Sequence, residues 1–492
     1  METKVSRRMV ISSLLWKLIE RAGTQGIQFI VQIVLARLLL PEDYGMIALV
    51  TIFITIANVF VQSGFNTALI QKKNADEVDF SSVFYLSLFV AALLYIIIYF
   101  TSPIIAKFYR EPQLIPVLRI LSITLFFGAF NSIQNAFVAR NMQFKKLFFS
   151  SLGAIIVSGS VGIITAYKGW GVWALVAQQL TNQLTITIIL WFTVRWRPTL
   201  EFSFVKIRGL FSYGSKLLVS SLIDTLYQDL RSLIIGRIYN SAMLGFYNRG
   251  KQFPNLIVSN INGSIQAVLL PALSSQQDDK LRVKNMMRRA IITSSFLILP
   301  AMIGLAVVAE PVVKLILTDK WLPAVPFIRI FCVSYALIPI HTANLQAINA
   351  LGRSDIFLKL EIIKKIVGML ILLISIPYGV YAMAWGSLLS GIFSSFINAY
   401  PNLKLLGYSY MEQWKDIVPS LVISLVMGIV VYLFNFLNLA TWQIVVLQII
   451  MGVIIYIGLS KLFKIESFIY INETIKDVLN VRRGEKNEKS FQ

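Results

Sequence analysis

The residues best placed for chemistry are polar and charged side chains that recur at helical spacing inside otherwise apolar segments. Steps of three and four residues place such side chains on one face of a helix. Lipid does not tolerate that face, so these stripes predict either a water-filled cavity or contacts between helices. The stripe residues that we single out are Glu20, Arg21, Thr24, Gln28, Gln62, Asn66, Lys216, Asp224, Gln228, Arg231, Asn255 and Asn262.

The cations of these stripes are the strongest candidates for binding a ligand. Placing an Arg or Lys at mid-membrane costs about 2.5–3.5 kcal/mol even by the lowest estimates, so such a residue usually faces a cavity or a partner. We therefore predict that Arg21, Lys216 and Arg231 line a cavity and bind an anionic ligand. A diphosphate would suit them, because Arg offers paired, directional donors to phosphate oxygens.

The other stripe residues have two interpretations each. Neutral Thr, Asn and Gln side chains fit a cavity wall, and they fit interhelical hydrogen bonds of about 0.6–2 kcal/mol equally well. Glu20 and Asp224 are candidates for binding a coupling proton or sodium ion, or for neutralising neighbouring cations. For Glu20, which is adjacent to Arg21, the ion pair is the favoured interpretation.

The elements that position these stripes are long apolar segments. The 492 residues are 57% hydrophobic and only 14% charged, which predicts an all-α integral membrane protein. Fourteen segments have the length of a transmembrane helix, with ends uncertain by about two to four residues. They lie near residues 12–36, 44–68, 81–106, 114–138, 147–167, 171–194, 210–236, 244–272, 288–317, 322–349, 355–377, 379–402, 414–437 and 441–463.

An internal repeat organises these segments. Trp16–Gly45 aligns without a gap on Lys216–Gly245, and later motif pairs follow at offsets between 200 and 210, such as Gly171–Ala174 with Gly379–Ala382. A duplicated hydrophobic unit of this size is typical of transporters that handle substrate between two similar halves. The predicted domains are a six-helix lobe at 1–200, a second six-helix lobe at 201–406, a C-terminal helix pair at 407–465 and a cytoplasmic tail at 466–492.

The charge and the rare residue types limit the function classes. The net charge of +21 comes mostly from Lys and Arg in short segments between apolar runs, which favours membrane topology over nucleic-acid binding. Their distribution places both termini in the cytoplasm. A single Cys332 and a single His341 exclude an internal disulfide and argue against a metal site or a Ser/His/Asp triad, so we expect neither an enzyme nor a cofactor.

Five motifs, taken together, resemble a known family. The chain is similar to the polysaccharide transporter family, the O-antigen-type flippases of lipopolysaccharide and teichuronic-acid biosynthesis, in the multidrug/oligosaccharidyl-lipid/polysaccharide exporter superfamily. The resemblance runs from about residue 10 to 460. The motifs are ARLLLPEDYG at 36–45, GFNTALIQ at 64–71, GWGVWALV at 169–176, FSYGSKLL at 211–218 and LGFYNR at 244–249.

The resemblance implies a fold and a function. It implies fourteen helices in a MATE/MurJ-like V-shaped fold that translocates undecaprenyl-diphosphate-linked oligosaccharide repeat units across the plasma membrane by alternating access. It implies that an ion gradient supplies the energy. The expected partners are membrane lipids and the polysaccharide polymerase and glycosyltransferases of the same pathway. Basic cavity residues are a feature of related lipid flippases, and Arg249 and Lys251 become outer candidates beside Arg21, Lys216 and Arg231.

Two other functions stay open at this stage. A drug or cation exporter of the same fold would need acidic sites, whereas the charged stripes are mainly basic. A membrane polysaccharide polymerase or glycosyltransferase would need large external catalytic loops, and the predicted external links are short.

Overall fold

The computed structural model describes residues 7–62, 65–72, 75–473 and 476, with side chains for all of these except 7–22, 212 and 213. Within these ranges the chain is helical and contains no strand, so the predicted all-α class is confirmed. The chain divides into two compact units, Met1–Gly245 and Phe246–Gln492. The predicted domain boundaries at residues 200, 406 and 465 stay predictions.

Seventeen α-helices of the described ranges have both ends defined. The first ten are α1 (Arg7–Leu38), α2 (Pro41–Gln62), α3 (Phe65–Gln71), α4 (Glu77–Tyr109), α5 (Leu114–Leu121), α6 (Thr124–Arg140), α7 (Phe144–Tyr167), α8 (Val172–Thr193), α9 (Phe204–Ile238) and α10 (Ser241–Ser274). The others are α11 (Lys280–Ile316), α12 (Val325–Tyr335), α13 (Ile338–Ala350), α14 (Ser354–Ser375), α15 (Val380–Leu406), α16 (Tyr410–Leu433) and α17 (Thr441–Leu462). Short 3₁₀ helices lie at Asp319–Ala324, Ile376–Tyr378 and Phe434–Phe436.

Ten helical segments of the described chain are long and apolar enough to cross a membrane. They are Pro41–Gln71, α4, Leu114–Arg140, α7, α10, α11, Asp319–Ala350, α15, Tyr410–Phe436 and α17. The four other long helices, α1, α8, α9 and α14, contain more polar or charged residues. The chain is a multi-pass membrane protein, and its fourteen predicted crossings stay a prediction.

In the unit Met1–Gly245, α7 packs closely along α1 and α8. Two glycines of α7 permit this approach, because a Cβ at Gly159 would lie 2.7 Å from Val31 Cγ2 and one at Gly162 would lie 2.9 Å from Gln178 Cβ. Small residues at helix contacts are the usual means by which membrane helices pack tightly. A short turn with positive φ at Gly169 (77°) and Gly171 (53°) reverses the chain from α7 to α8.

The first turn of α2 and the first turn of α10 also approach each other closely. Both turns belong to the unit Met1–Gly245. A Cβ on Gly45 would meet the backbone carbonyl of Ser241, and it would lie 2.9 Å from Ser241 Cα. A Cβ on Gly245 would meet the backbone carbonyl of Pro41. Glycine at both positions therefore lets backbone touch backbone.

Ion pairs hold the start of α4. Lys72 Nζ lies 2.7 Å from both carboxylate oxygens of Asp79, whose side chain is only 1% exposed. Asp76 caps α4 by accepting a hydrogen bond from the Asp79 backbone N–H at 2.9 Å, and it pairs with Lys206 of α9. The hydrogen bond from Lys206 lowers the pKa of Asp76 from its ordinary value to about 2, so this contact stays ionised at neutral pH.

The unit Phe246–Gln492 has a core of its own. Buried apolar residues of α10, α11, α13, α15 and α16 form one cluster that includes Leu273, Met287 and Ala347. Inside it, Asn344 Nδ2 donates to Gln413 Oε1 at 2.7 Å, and Asn402 Nδ2 donates to Asn344 Oδ1 at 2.7 Å. Residues 466–473, at the start of the predicted tail, are helical. Phe468 and Ile471 of this segment pack against a second apolar cluster.

Candidate functional site: a cavity lined by amide side chains

A cavity of about 560 Å³ lies within the unit Met1–Gly245, among α1, α2, α6, α7 and α8. This volume falls in the range of roughly 300–1,000 Å³ that is common for small-molecule sites. The polar side chains of its lining are Gln28, Gln32, Thr51, Thr55, Asn58, Gln62, Thr124, Asn131, Ser132, Asn135, Ser158, Gln178, Gln179, Asn182 and Gln183. The remaining lining residues are Val31, Ile54, Gly128, Ile155 and Ile186.

The lining, which we call the amide cavity, is polar but uncharged. Ten of its side chains are amides and five are hydroxyls, and no charged or aromatic residue is among the described residues that line it. Amides both donate and accept hydrogen bonds, and hydroxyls do the same. The cavity can therefore exchange hydrogen bonds with a neutral polar ligand, but its described lining offers no counter-ion to a charged one.

Helical spacing explains how each wall forms. On α8, Gln178 with Asn182 and Gln179 with Gln183 are pairs four residues apart, and they turn two adjacent rows of amides toward the cavity. On α6, Asn131 and Asn135 have the same spacing, and on α2 the steps from Thr51 to Gln62 are three and four residues. Because each helix also has an apolar face, the amides face one another while the apolar side chains pack or meet lipid.

Hydrogen bonds between neighbouring helices hold part of the lining in place. Asn182 Nδ2 of α8 donates to Ser158 Oγ of α7 at 3.2 Å, and Asn131 Nδ2 of α6 donates to Gln183 Oε1 at 3.4 Å. Asn66 of α3 donates to Ser132 Oγ of α6. These contacts fix α6, α7 and α8 around the cavity.

Two acceptors of the amide cavity are left over. The side-chain carbonyl oxygens of Asn58 and Asn131 are buried, and neither has a hydrogen-bond partner among the described residues. A buried acceptor without a donor costs about 1–3 kcal/mol. Either amide would gain a donor by turning its oxygen toward a ligand with hydroxyl groups.

Gly128 sets the position of one of these acceptors. A Cβ at Gly128 would lie 2.6 Å from Asn58 Oδ1, so glycine at this position leaves room for the buried carbonyl of Asn58. The neighbour is the end of a side chain and not a backbone atom, so a larger residue would displace Asn58 and leave the helices in place.

The structure brings some of the predicted site residues together at this cavity. Gln28 of α1 and Gln62 of α2 line it, and both side chains are exposed. Asn66 reaches it through its hydrogen bond to Ser132. Thr24 lies half-buried one turn before Gln28 on α1 and is not part of the lining. Gln228 is exposed on α9, outside the lining.

None of the four described cations that the sequence singled out lines the amide cavity. Lys216 is exposed on α9, and Arg231 is half-buried there, with Nε and Nη2 buried and no hydrogen-bond partner for either atom within the described ranges. Arg249 of α10 is buried; it donates to Gln252 Oε1 at 2.7 Å and lies 5.2 Å from the ring centre of Trp321. Lys251 is half-buried.

The remaining predicted residues fall elsewhere. The side chains of Glu20 and Arg21 lie outside the described residues, although the backbone there belongs to α1. Asp224 is exposed on α9 and Asn255 is exposed on α10. Asn262 of α10 accepts a hydrogen bond from Thr342 Oγ1 at 2.7 Å, which is a contact between helices. Among the described residues, no group of His, Cys, Asp and Glu could hold a metal ion.

Sequence reasoning missed the largest contribution to the cavity. The amides of α8 and α6 were not singled out, although Gln178, Gln179, Asn182 and Gln183 interrupt an apolar segment at four-residue spacing. That interruption was a usable signal. The predicted cations of α9 and α10, by contrast, do not line the cavity.

Comparisons with known proteins agree on one family and one fold. The model of the family described as "Polysaccharide biosynthesis protein" matches residues 34–326. Lipopolysaccharide biosynthesis protein WzxC of Escherichia coli (strain K12) is 23% identical over 435 residues, which cover 86% of this chain and 88% of that protein. Succinoglycan biosynthesis transport protein ExoT of Rhizobium meliloti (strain 1021) is 22% identical over 427 residues, covering 86% and 83%.

A solved structure extends the likeness to the fold. The lipid II flippase MurJ in an inward closed conformation matches with a TM-score of 0.73 at 17% identity, over 92% of this chain and 98% of that one. At this identity the likeness concerns the fold alone.

Proposed function

We propose that this chain, which belongs to the polysaccharide biosynthesis protein family, is a flippase that moves lipid-linked oligosaccharides across the membrane for cell-surface polysaccharide synthesis. The observation that carries the proposal is a hydrogen-bonding cavity with no charged residue in its described lining, among helices of which α2, α6 and α7 belong to segments long and apolar enough to cross a membrane. Relatives over most of the chain are a lipopolysaccharide biosynthesis protein and a succinoglycan transport protein.

The physical problem of such transport is the sugar. A hydroxyl moved from water into hydrocarbon without a partner costs about 4–8 kcal/mol, and an oligosaccharide carries many hydroxyls. The fifteen polar side chains of the amide cavity offer replacement hydrogen bonds inside the membrane. Each bond is worth only about 0.5–1.5 kcal/mol net, which lowers the barrier without holding the cargo too tightly for release.

The anionic part of the cargo needs other groups. We assign the diphosphate of an undecaprenyl-diphosphate carrier to Arg21, Lys216 and Arg231, with Arg249 and Lys251 as outer contacts. Support for Arg231 comes from its buried Nε and Nη2, for which no hydrogen-bond partner exists among the described residues. Arg21 lies seven residues before Gln28 on α1, which is about two helical turns and the same face.

Energy coupling and topology complete the proposal. Transport proceeds by alternating access driven by a proton or sodium gradient, with Glu20 and Asp224 as candidate coupling groups. The protein lies in the plasma membrane with both termini in the cytoplasm, and a polymerase and glycosyltransferases of the same pathway are its functional partners. The basic loops predicted from the sequence support this orientation.

The proposal also includes the arrangement of the helices in the membrane. We assign all fourteen long helical segments to the membrane, as two six-helix lobes and a C-terminal pair. The 22 residues of α8 extend about 33 Å, enough to cross the bilayer core, and α8 packs against α2, α5, α6 and α7. Gly45 meets Ser241 while Gly245 meets Pro41, a reciprocal contact at the repeat offset of 200 that supports the internal repeat.

The decisive experiment is reconstitution into liposomes with a fluorescent undecaprenyl-diphosphate oligosaccharide in one leaflet. Under an imposed proton or sodium gradient, the label should become accessible in the opposite leaflet, as measured by quenching with a membrane-impermeant reductant. A cationic dye offered to the same liposomes tests the drug-exporter alternative. Protein that restores polysaccharide export in cells yet moves no lipid-linked sugar under any gradient would show that direct flipping is wrong.

A further inference from the structure

We propose that the amide cavity is the binding site for an uncharged sugar of the cargo, and that it selects neutral sugars over sugars that carry a carboxylate. This inference rests on the proposed function, since it names which part of the lipid-linked oligosaccharide occupies which site. It concerns side chains of α1, α2, α6, α7 and α8 only.

The left-over acceptors indicate the chemistry of the ligand. Asn58 and Asn131 line the cavity, and the buried carbonyl oxygen of each has no donor among the described residues, so either amide would gain by turning toward a ligand that donates. Sugar hydroxyls donate, whereas the carboxylate that replaces one hydroxymethyl group in a uronic acid only accepts. A cation would also donate, but the described lining contains no carboxylate to neutralise it.

The lack of charge in the lining acts against acidic sugars. Moving a carboxylate out of water is costly, and neutral amide and hydroxyl donors compensate its charge less well than a cation does. Of the five cations predicted to bind the cargo, the four whose side chains are described do not belong to this lining, namely Lys216, Arg231, Arg249 and Lys251. Within the described lining a uronic acid would find no counter-ion, whereas the corresponding neutral hexose would exchange one set of hydrogen bonds for another.

The amides of α8 belong to one copy of the internal repeat and not to the other. The motif at Gly171–Ala174 matches Gly379–Ala382 at an offset of 208, and the same offset pairs the α8 amides with small residues of α15. The pairs are Gln178 with Gly386, Gln179 with Ser387, Asn182 with Ser390 and Gln183 with Gly391. At these four positions the amides of α8 therefore have no amide counterpart in α15.

The test compares two cargoes that differ in one group. An undecaprenyl-diphosphate trisaccharide of neutral hexoses and the same molecule with one hexose oxidised to its uronic acid are offered to full-length protein in liposomes, and initial translocation rates are measured. Wild-type protein should move the neutral cargo at least about tenfold faster, which is the discrimination that one uncompensated polar group commonly produces.

Two variants and one control locate the selectivity. Asn131→Leu, of similar size, should slow the neutral cargo about tenfold, while Thr185→Val, a matched change on α8 outside the lining, should leave the rate within about twofold. Gln183→Lys should narrow the preference between the two cargoes by giving the carboxylate a counter-ion. Gln183→Lys should gain transport of the acidic cargo, so it remains informative where Asn131→Leu fails to fold.

The outcomes separate the two proposals. Equal rates for both cargoes, or normal transport of the neutral cargo by Asn131→Leu, would overturn the sugar site and leave the flippase function standing. Translocation of neither cargo by protein that is active in cells would overturn the flippase function itself. An unchanged preference in folded Gln183→Lys would place the sugar outside this cavity.

Discussion

Gly45→Ala should destabilise the protein, although alanine is the best helix former. In an open helix position this exchange gains about 0.8–1.0 kcal/mol. At Gly45 the new methyl group would meet the carbonyl of Ser241 and would lie 2.9 Å from its Cα. These neighbours are backbone atoms, so the start of α2 must move away from the start of α10. Overpacking costs about 1–3 kcal/mol, and the rigid neighbour favours the upper end. The net loss is therefore about 1–2 kcal/mol.

Gly458→Ala provides the matched control. Gly458 lies in α17, is exposed, and has no atom within 4 Å of an added Cβ. The same exchange there should be neutral or stabilising by up to about 1 kcal/mol, so the two variants should differ by about 2–3 kcal/mol. The double variant Gly45→Ala/Gly245→Ala should lose less than the sum of the single losses, because the first methyl group already opens the contact for the second.

The measurement is thermal or denaturant unfolding of the purified protein in one detergent, followed by tryptophan fluorescence. If Gly45→Ala matches wild type or gains stability as Gly458→Ala does, α2 and α10 do not begin in backbone contact. Strict additivity of Gly45→Ala and Gly245→Ala would show that the two glycines do not share one contact.

Three further outcomes are expected. Gly128→Ala should reduce translocation more than stability, because its Cβ would displace the Asn58 carbonyl 2.6 Å away, and paired transport and melting assays would detect the difference. Lys72→Met should cost about 1.5–3 kcal/mol by leaving the buried Asp79 carboxylate without its cation, and Asp79→Asn in the same chain should recover part of the loss in a double-mutant cycle. Because the pKa of Asp76 is lowered to about 2 in the folded protein, its contribution to stability should be constant above pH 5 and should be lost as the pH falls below 4 toward 2. Asp76→Asn should remove this pH-dependent loss of stability, as measured by melting temperatures recorded at a series of pH values.

The sequence predicted the helices well where apolar length alone defines them. The segment predicted at 171–194 is α8, Val172–Thr193, because an apolar run bounded by Gly171 and Arg195 leaves little freedom. The segment predicted at 288–317 begins earlier, at Lys280, because Asp279 caps α11 by accepting from the backbone N–H of Arg282. Polar turns that continue a helix beyond the membrane are invisible to hydropathy.

The site was predictable only in part. Periodicity on a single helix identified Gln28 and Gln62, since each stripe is a local property of its own segment. Which stripes meet depends on packing, and that is set by small residues such as Gly159 and Gly162, whose role appears only when the neighbours of α7 are known. Charge was the less useful guide, because Arg249 takes part in local packing with Gln252 and Trp321.

The contrast between α7 and its successor bears on how the chain is made. α7 is apolar enough to enter lipid alone, whereas α8, with its central amides, is not among the described segments that qualify. A helix with many polar residues gains little free energy by moving alone from the insertion machinery into lipid. The tight turn at Gly169 and Gly171 brings α8 directly back along α7, where Asn182 finds Ser158. The two helices should therefore leave the translocon together, as a hairpin. Lengthening the turn between them should lower the yield of inserted protein, while each molecule that does insert should still transport at the normal rate.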